Sequence, residues 1–269
     1  MLEIKNLTIS YKNKNGTYDA PAVDNVSFTV EDNKTSCLIG ESGSGKSTIM
    51  SAILGLLPLG TRVTGQILLD GVNILGYSES EFLTLRGRKI SLVPQASLNS
   101  FTPVFTLGKT LRELVTLHTD GKISQGEAHK TMVQTLLDCG LSEDFLAKYP
   151  HEMSGGERQR AAIAAALVTG CNLLLADEPT TALDVVTQNK ILDLLKRLQG
   201  EKNLAILLVT HDLAVAASIA ENFFVMEHGR LIEVTTREKI FASPQAKHTK
   251  ELVEAANFYR KSPAQNVTD

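Results

Sequence analysis

The run Gly40-Glu41-Ser42-Gly43-Ser44-Gly45-Lys46-Ser47 has the spacing G-x-x-x-x-G-K-[ST]. The chemistry such a run performs is the cradling of a polyphosphate. Glycines at 40, 43 and 45 let the backbone curl so that successive N–H groups converge, and a helix beginning there adds its partial positive charge. Lys46 would reach the β- and γ-phosphates, and the Ser47 hydroxyl would ligate Mg²⁺ between them. A phosphate cradle does not choose a reaction, so a second, acidic site is needed. Leu173-Leu174-Leu175-Ala176-Asp177-Glu178 supplies one: an apolar run that ends in adjacent carboxylates. Successive residues at a strand end point in different directions. Asp177 could therefore hold Mg²⁺, directly or through water, while Glu178 polarises an attacking water.

Positioning these groups requires buried strands that end at the chemistry. Residues 35–39, 90–93, 173–176 and 205–210 are short and apolar, as strands of a parallel sheet covered on both faces must be. The first delivers the glycine loop, which a helix over 48–57 should follow. Segments 2–10, 22–30 and 65–69 instead alternate apolar and polar residues, with turn signals at Asn15-Gly16 and Asp70-Gly71, and read as antiparallel strands. Strand signals vanish between Gln95 and Pro150. There Ser124 and Glu127 form a capping box opening an amphipathic helix with Met132, Val133, Leu136 and Leu137 inward. A helix should follow His211, then a hairpin over 223–234 turning at His228-Gly229, then a polar tail whose last ~10 residues are too poor in apolar side chains to order.

The 269 residues, at about 150 per domain, suit one large domain or a core plus an appendage. With 43% hydrophobic and 21% charged residues, there is material for a core. Twenty-seven Lys and Arg against thirty Asp and Glu give a net charge of −3, which provides no basic excess for nucleic acid. The longest apolar runs fall short of the ~20 residues that span a bilayer, and the opening Met1-Leu2-Glu3-Ile4 lacks a signal peptide's basic head and apolar core. A chain inside the cell is expected. Cys37, Cys139 and Cys171 are too widely spaced for a metal site or redox pair and read as buried thiols.

Taken together, Gly40 to Thr48, Gln95, Met153-Ser154-Gly155-Gly156-Glu157, Asp177-Glu178, Thr181-Ala182-Leu183-Asp184 and His211 resemble the ATP-binding subunit of an ATP-binding cassette (ABC) transporter. The resemblance implies an α/β fold: a P-loop NTPase core with a mainly parallel sheet, an N-terminal antiparallel β subdomain and an inserted α-helical subdomain. The ATPase domain would cover 1–250, with the helical part at about 96–165, and 251–269 would be a short tail. ATP and Mg²⁺ are implied as cofactors. By the same resemblance, Gly40, Glu41, Ser42, Gly43, Ser44, Gly45, Lys46, Ser47 and Thr48 bind ATP, and Tyr11, by itself a strand residue, stacks on adenine. Ser47, Gln95 and Asp177 hold Mg²⁺, Glu178 is the base, Gln95 attends the metal or the water, and His211 touches the γ-phosphate.

Ser154, Gly155, Gly156 and Glu157 would face ATP held by a second ATPase subunit, so that a head-to-tail pair closes on two ATP molecules, and the Asp184 loop would cross to that partner. Met153 and Glu157 depart from the usual Leu and Gln, and Asp32-Asn33-Lys34 stands where Gly-Glu is common. Glu157 is explicable as half of a capping box with Ser154. Gln95-Ala96-Ser97-Leu98-Asn99-Ser100, Tyr149-Pro150-His151-Glu152 and Lys247-His248-Thr249 look like the dipeptide, oligopeptide and nickel importer branch, with a lean toward nickel or metal-chelate members. That branch implies a non-identical second ATPase, two transmembrane permease subunits receiving the helical insertion, an extracytoplasmic binding protein acting indirectly, and a place on the cytoplasmic face of the membrane. No nucleic acid is expected, and with no Cys after Cys171 no iron–sulfur cluster is expected in the tail. The competing class is an ABC ATPase acting on protein or nucleic acid without a transporter. His118, His129, His151, His228 and His248 are expected at the surface.

Overall fold

The computed structural model describes residues 1–95, 101–119 and 121–261, so the importer-like segment 96–100 and the tail from 262 lie outside the described residues. The chain divides into two units, Met1–Glu31 with Thr35–Leu75 and Leu208–Asp269, and Asp32–Lys34 with Gly76–Leu207.

In the first unit, β1 (Leu2–Ser10) pairs antiparallel with both β2 (Val23–Val30) and β4 (Arg62–Leu69), and β5 (Val72–Asn73) adds a short edge to β4. Asp70 and Gly71 make that last turn with φ of 50° and 81°, the left-handed values that favour Asp and Gly there. The alternation seen in the sequence is an alternation of burial: Leu2, Ile4, Leu7 and Ile9 are all at most 1% exposed. β3 (Thr35–Ile39), buried throughout, pairs in parallel with β9 (Asn222–Glu227). β9 turns at His228-Gly229 into the antiparallel β10 (Arg230–Thr236). Phe28 of β2 stacks on Phe224 of β9 at 4.5 Å between centroids, joining the two sets of strands across an apolar core.

α1 runs over Lys46–Ile53 rather than 48–57. It stops early because Gly55 takes a left-handed φ of 66° and Pro58 cannot continue a helix, which leaves Leu56 and Leu59 exposed. Of the C-terminal helices in this unit, α7 (Leu213–Ile219) is capped by Asp212, whose carboxylate accepts from the amides of Ala214 and Val215. α8 (Arg237–Ala242) leads to α9 (Lys247–Lys261), which crosses the expected domain end at 250 without a break. Contrary to expectation, His248 is only 6% exposed. Its neighbourhood is organised by Glu233 of β10, whose buried carboxylate accepts from the amides of Gln245 (3.1 Å) and Ala246 (2.9 Å) at the entry to α9, which turns the His248 end of the helix inward. Burial works against charge on Glu233, but the surrounding donors and Lys250 outweigh it and hold its carboxyl below the ordinary value.

In the second unit, β6 (Ile90–Val93) and β7 (Leu173–Asp177) pair in parallel, Ile90 beside Leu173 and Val93 beside Ala176. α2 (Glu79–Leu85) precedes β6; α3 (Leu107–His118), α4 (Gln125–Asp138) and α5 (Gly155–Leu167) lie between the two strands in sequence; α6 (Val185–Lys202) follows β7. α4 begins with the Ser124–Glu127 capping box that the sequence promised. Its inward face is Ala128, Met132, Thr135 and Leu136, whereas Leu137 is 52% exposed and Val133 half-buried. Thr135, Met132 and Leu136 fall within about 100° of the helix circumference, and Leu137 lies about 100° beyond Leu136, which turns it outward. Lys202 pairs with Asp138 at 2.6 Å, tying the end of α6 to the end of α4.

The division of the chain runs through β8 (Ala205–Thr210), all of which is buried. The α/β class, the N-terminal antiparallel sheet and the helices inserted after parallel strand β6 are those expected. The three cysteines are free and buried, and burial pushes their thiols up, Cys139 to about 12.

Candidate functional site: a glycine loop and an acidic strand end

The glycine loop leaves β3 at Gly40. A Cβ there would lie 2.2 Å from the backbone oxygen of Met226, so any side chain is excluded by the end of β9. Gly45 has φ +101°, and its Cβ would meet the Ala22 carbonyl at 2.5 Å; Gly43, at φ +81°, has open space. Inside the curl the Lys46 ammonium donates to the carbonyls of Gly40 and Glu41, both at 2.7 Å, and to Ser44 Oγ at 3.2 Å. The Gly229 amide braces the outside through the Ser44 carbonyl. Glu41, Ser42, Gly43 and Ser47 are exposed.

One contrast bears on what this loop binds. α2 through α7 each begin with a Ser, Thr or Asp whose side chain accepts from the first-turn amides, whereas α1 begins at Gly45 with no side-chain cap. Those amides suit an anion in place of the missing cap. Tyr11 belongs to the same neighbourhood, its hydroxyl donating to Thr48 Oγ1 at 3.0 Å, which sets an aromatic ring beside the start of α1.

In the second unit, Asp177 closes β7 and Glu178 follows in a left-handed conformation, φ 44°. Glu178 Oε2 accepts from Gln95 Nε2 at 2.9 Å and from Thr181 Oγ1 at 2.9 Å. Gln95 is thus brought to Glu178 by the parallel pairing of β6 with β7. With its nitrogen aimed at the carboxylate, its Oε1 is the atom suited to a cation or a water. In the sequence Thr181 stands only as part of a motif, and its hydroxyl bond to Glu178 is a feature the structure adds. The hint was a hydroxyl three residues beyond a carboxylate in a turn.

Ser154 and Glu157 form the capping box of α5: Glu157 accepts from the Ser154 amide at 2.8 Å, and the Glu157 amide donates to Ser154 Oγ at 3.3 Å. The Ser154 amide first, and its hydroxyl second, hold the Glu157 carboxyl below its usual range, with Lys148 and Arg160 adding to the effect. A Cβ on Gly155 would contact Leu183 at 3.5 Å, and one on Gly156 would crowd Thr187 at 2.6 Å. The start of α5 therefore lies against the start of α6. Asp184 caps α6, accepting from the Thr187 amide (2.9 Å) and hydroxyl (2.7 Å), which keep its carboxyl low. Its observed bonds serve its own helix. His211, in the first unit, is exposed at the end of β8, immediately before the cap of α7.

Residues 23–181 match the protein family described as "ABC transporter". The chain belongs to the ABC transporter family. A shorter stretch, 147–217, also matches a family described as "AAA domain, putative AbiEii toxin, Type IV TA system", but that stretch excludes the glycine loop. Among curated ABC proteins it is similar to the oligopeptide transport ATP-binding protein OppD of Bacillus subtilis (strain 168), 38% identical over 272 residues, covering 100% of this chain and 75% of the relative. It is equally similar to the metal-staphylopine import system ATP-binding protein CntD of Staphylococcus aureus (strain NCTC 8325 / PS 47), at 38% identity over 94% of this chain and 92% of the relative. Among solved structures it is similar to the dimeric post-hydrolysis state of the ATP-binding cassette MJ0796 bound to ADP and Pi, 31% identical, with a TM-score of 0.77 over 88% of this chain and 99% of that one. The chain is an ABC ATPase that binds and hydrolyses ATP.

Proposed function

We propose that this ABC ATPase powers an importer of peptides or metal chelates from the cytoplasmic face of the membrane, paired with a second ATPase and seated under two permease subunits. The supporting observation is its likeness, across at least 94% of its length, to the ATP-binding proteins of an oligopeptide transporter and a metal-staphylopine importer. Among the described residues no helix is long and apolar enough to cross a membrane.

In this reading Gly40 through Thr48 bind the phosphates. The uncapped amides of α1 take the anionic charge, and Lys46 turns from the loop carbonyls to the β- and γ-phosphates. Tyr11 supplies the ring for adenine. Ser47, Gln95 and Asp177 would hold Mg²⁺. They are oxygen donors of the kind it prefers, and among the described residues no cluster of three or more His, Cys, Asp and Glu could hold a metal alone, which suits an ion completed by phosphate and water. When bound, the ion neutralises charge on the β- and γ-phosphates. Glu178 orients and deprotonates the attacking water, Gln95 attends that water, and His211 contacts the γ-phosphate. Ser154, Gly155 and Gly156 present the start of α5 to ATP held by the partner ATPase, and the turn before Asp184 carries the state of one site to the other.

Deleting the chain and following uptake of a labelled peptide and a labelled nickel chelate tests this reading. Loss of one restored by the wild-type gene, with two polytopic membrane proteins co-purifying, is expected. Unchanged uptake of both, with only non-membrane proteins recovered, would refute it.

A further inference from the structure

Glu178 is gripped twice on one atom. Gln95 Nε2 and Thr181 Oγ1 both donate to Oε2, each at 2.9 Å. The two donors come from different parts of the unit, one from the residues after β6 and the other from three positions along the turn that Glu178 itself begins. That turn is closed by the Thr181 amide donating to the Glu178 carbonyl at 3.1 Å and is bracketed by two left-handed residues that are not glycine, Glu178 at φ 44° and Ala182 at φ 64°. Such conformations cost energy and persist where the surroundings hold them. Here they carry the Thr181 hydroxyl back onto the carboxylate.

We infer that Thr181 is a positioning residue for ATP hydrolysis, its hydroxyl fixing the orientation in which the Glu178 carboxylate meets the attacking water. This rests on Glu178 being the base. In the step, water gives a proton to the Glu178 carboxylate while its oxygen bonds to the γ-phosphorus. The bond from phosphorus to the bridging oxygen breaks, and ADP leaves with that electron pair. The hydroxyl also sits on the segment that continues through Leu183 and Thr187 to Gly155 and Gly156, so the orientation of the base and the placement of α5 share one turn.

The test is steady-state ATPase of the full chain in its assembled complex. Thr181→Val keeps the shape and removes the donor; because Thr181 is exposed, folding should survive, and Thr181→Ala provides a second donor-free variant. Either should lower kcat about tenfold, the scale of one lost bond to a charged group, with KM for ATP within about twofold. Thr181→Ser should recover most of the rate, which a purely structural role would not require. Wild-type kcat in both donor-free variants, a rise in KM accounting for the loss, or Thr181→Ser as slow as Thr181→Val would each overturn the inference. Glu178→Gln separates the two levels: if it abolishes turnover while Thr181→Val does not reduce it, the inference alone fails. Normal turnover in Glu178→Gln removes the base assignment and this inference together.

Discussion

Replacing Glu157 by glutamine isolates one charge at the start of α5. The bond from the Ser154 amide to Glu157, 2.8 Å long, needs only an acceptor oxygen, which glutamine retains, so the capping box should survive. What goes is the negative charge at a helix N-terminus, about 0.3–1 kcal/mol at an exposed position. For a chain of this size that is a fall in Tm of about 1–4 °C. The pH dependence has a definite sign. Ser154 holds the carboxyl below its ordinary value, so its stabilisation is full above the unfolded value near ~4.3 and is lost as pH falls through the lower folded value. Wild type and Glu157→Gln should therefore differ at neutral pH and converge in acid. Turnover should move the other way. A carboxylate near an incoming phosphate repels it, by less than about 1 kcal/mol across roughly a Debye length, or under about fivefold in apparent ATP affinity. Calorimetry and ATPase assays of the assembled complex measure both, and activity should be intact or raised. A loss beyond about tenfold with an unchanged Tm would refute the reasoning and give the charge a specific role.

Glu178→Gln should cut turnover by at least about 100-fold and accumulate an ATP-bound closed dimer, visible by size-exclusion chromatography with ATP; unimpaired hydrolysis would contradict the assignment of the base. Gly45→Ala should abolish binding of a fluorescent ATP analogue, because its Cβ would lie 2.5 Å from a backbone oxygen, whereas Gly43→Ala, with open space, should bear only the left-handed strain of about 1–2 kcal/mol; equal effects would show that the contact is irrelevant. Glu233→Ala leaves the amides of Gln245 and Ala246 without their acceptor and should cost about 1–2 kcal/mol, read as faster proteolysis at the entry to α9 and a lower Tm.

The parts of this protein legible in the sequence are those whose physics is local. The glycine loop, the apolar strand ending in Asp177-Glu178 and the capping boxes at Ser124 and Ser154 each depend on residues a few positions apart, and each stands where the spacing put it. Gln95 was legible only through the family resemblance, because a lone glutamine after a strand carries no signal until the pairing of β6 with β7 sets it beside Glu178. What escaped depends on rotation or on distant partners. The exposure of Leu137 follows from which face of α4 meets its neighbours, a choice the run Leu136-Leu137 leaves open. His248 is buried because a carboxylate on β10, fifteen positions earlier, holds the entry to its helix. The Thr181 bond exists only because two residues that are not glycine adopt left-handed conformations, which no propensity forecasts.

The bare start of α1 has a consequence for folding as well as for recognition. In α2 through α7 a serine, threonine or aspartate finishes the helix from within, so those helices are complete as soon as they form. α1 leaves that task to the ligand, and nucleotide becomes a component of the native structure rather than a visitor to it. Its concentration then sets part of the stability, about 2.7 kcal/mol when free ligand stands at 100 times Kd. Depletion of ATP should loosen first the segment that senses it, and amide exchange at Ser47 and Thr48 would report the supply of nucleotide before any change in transport.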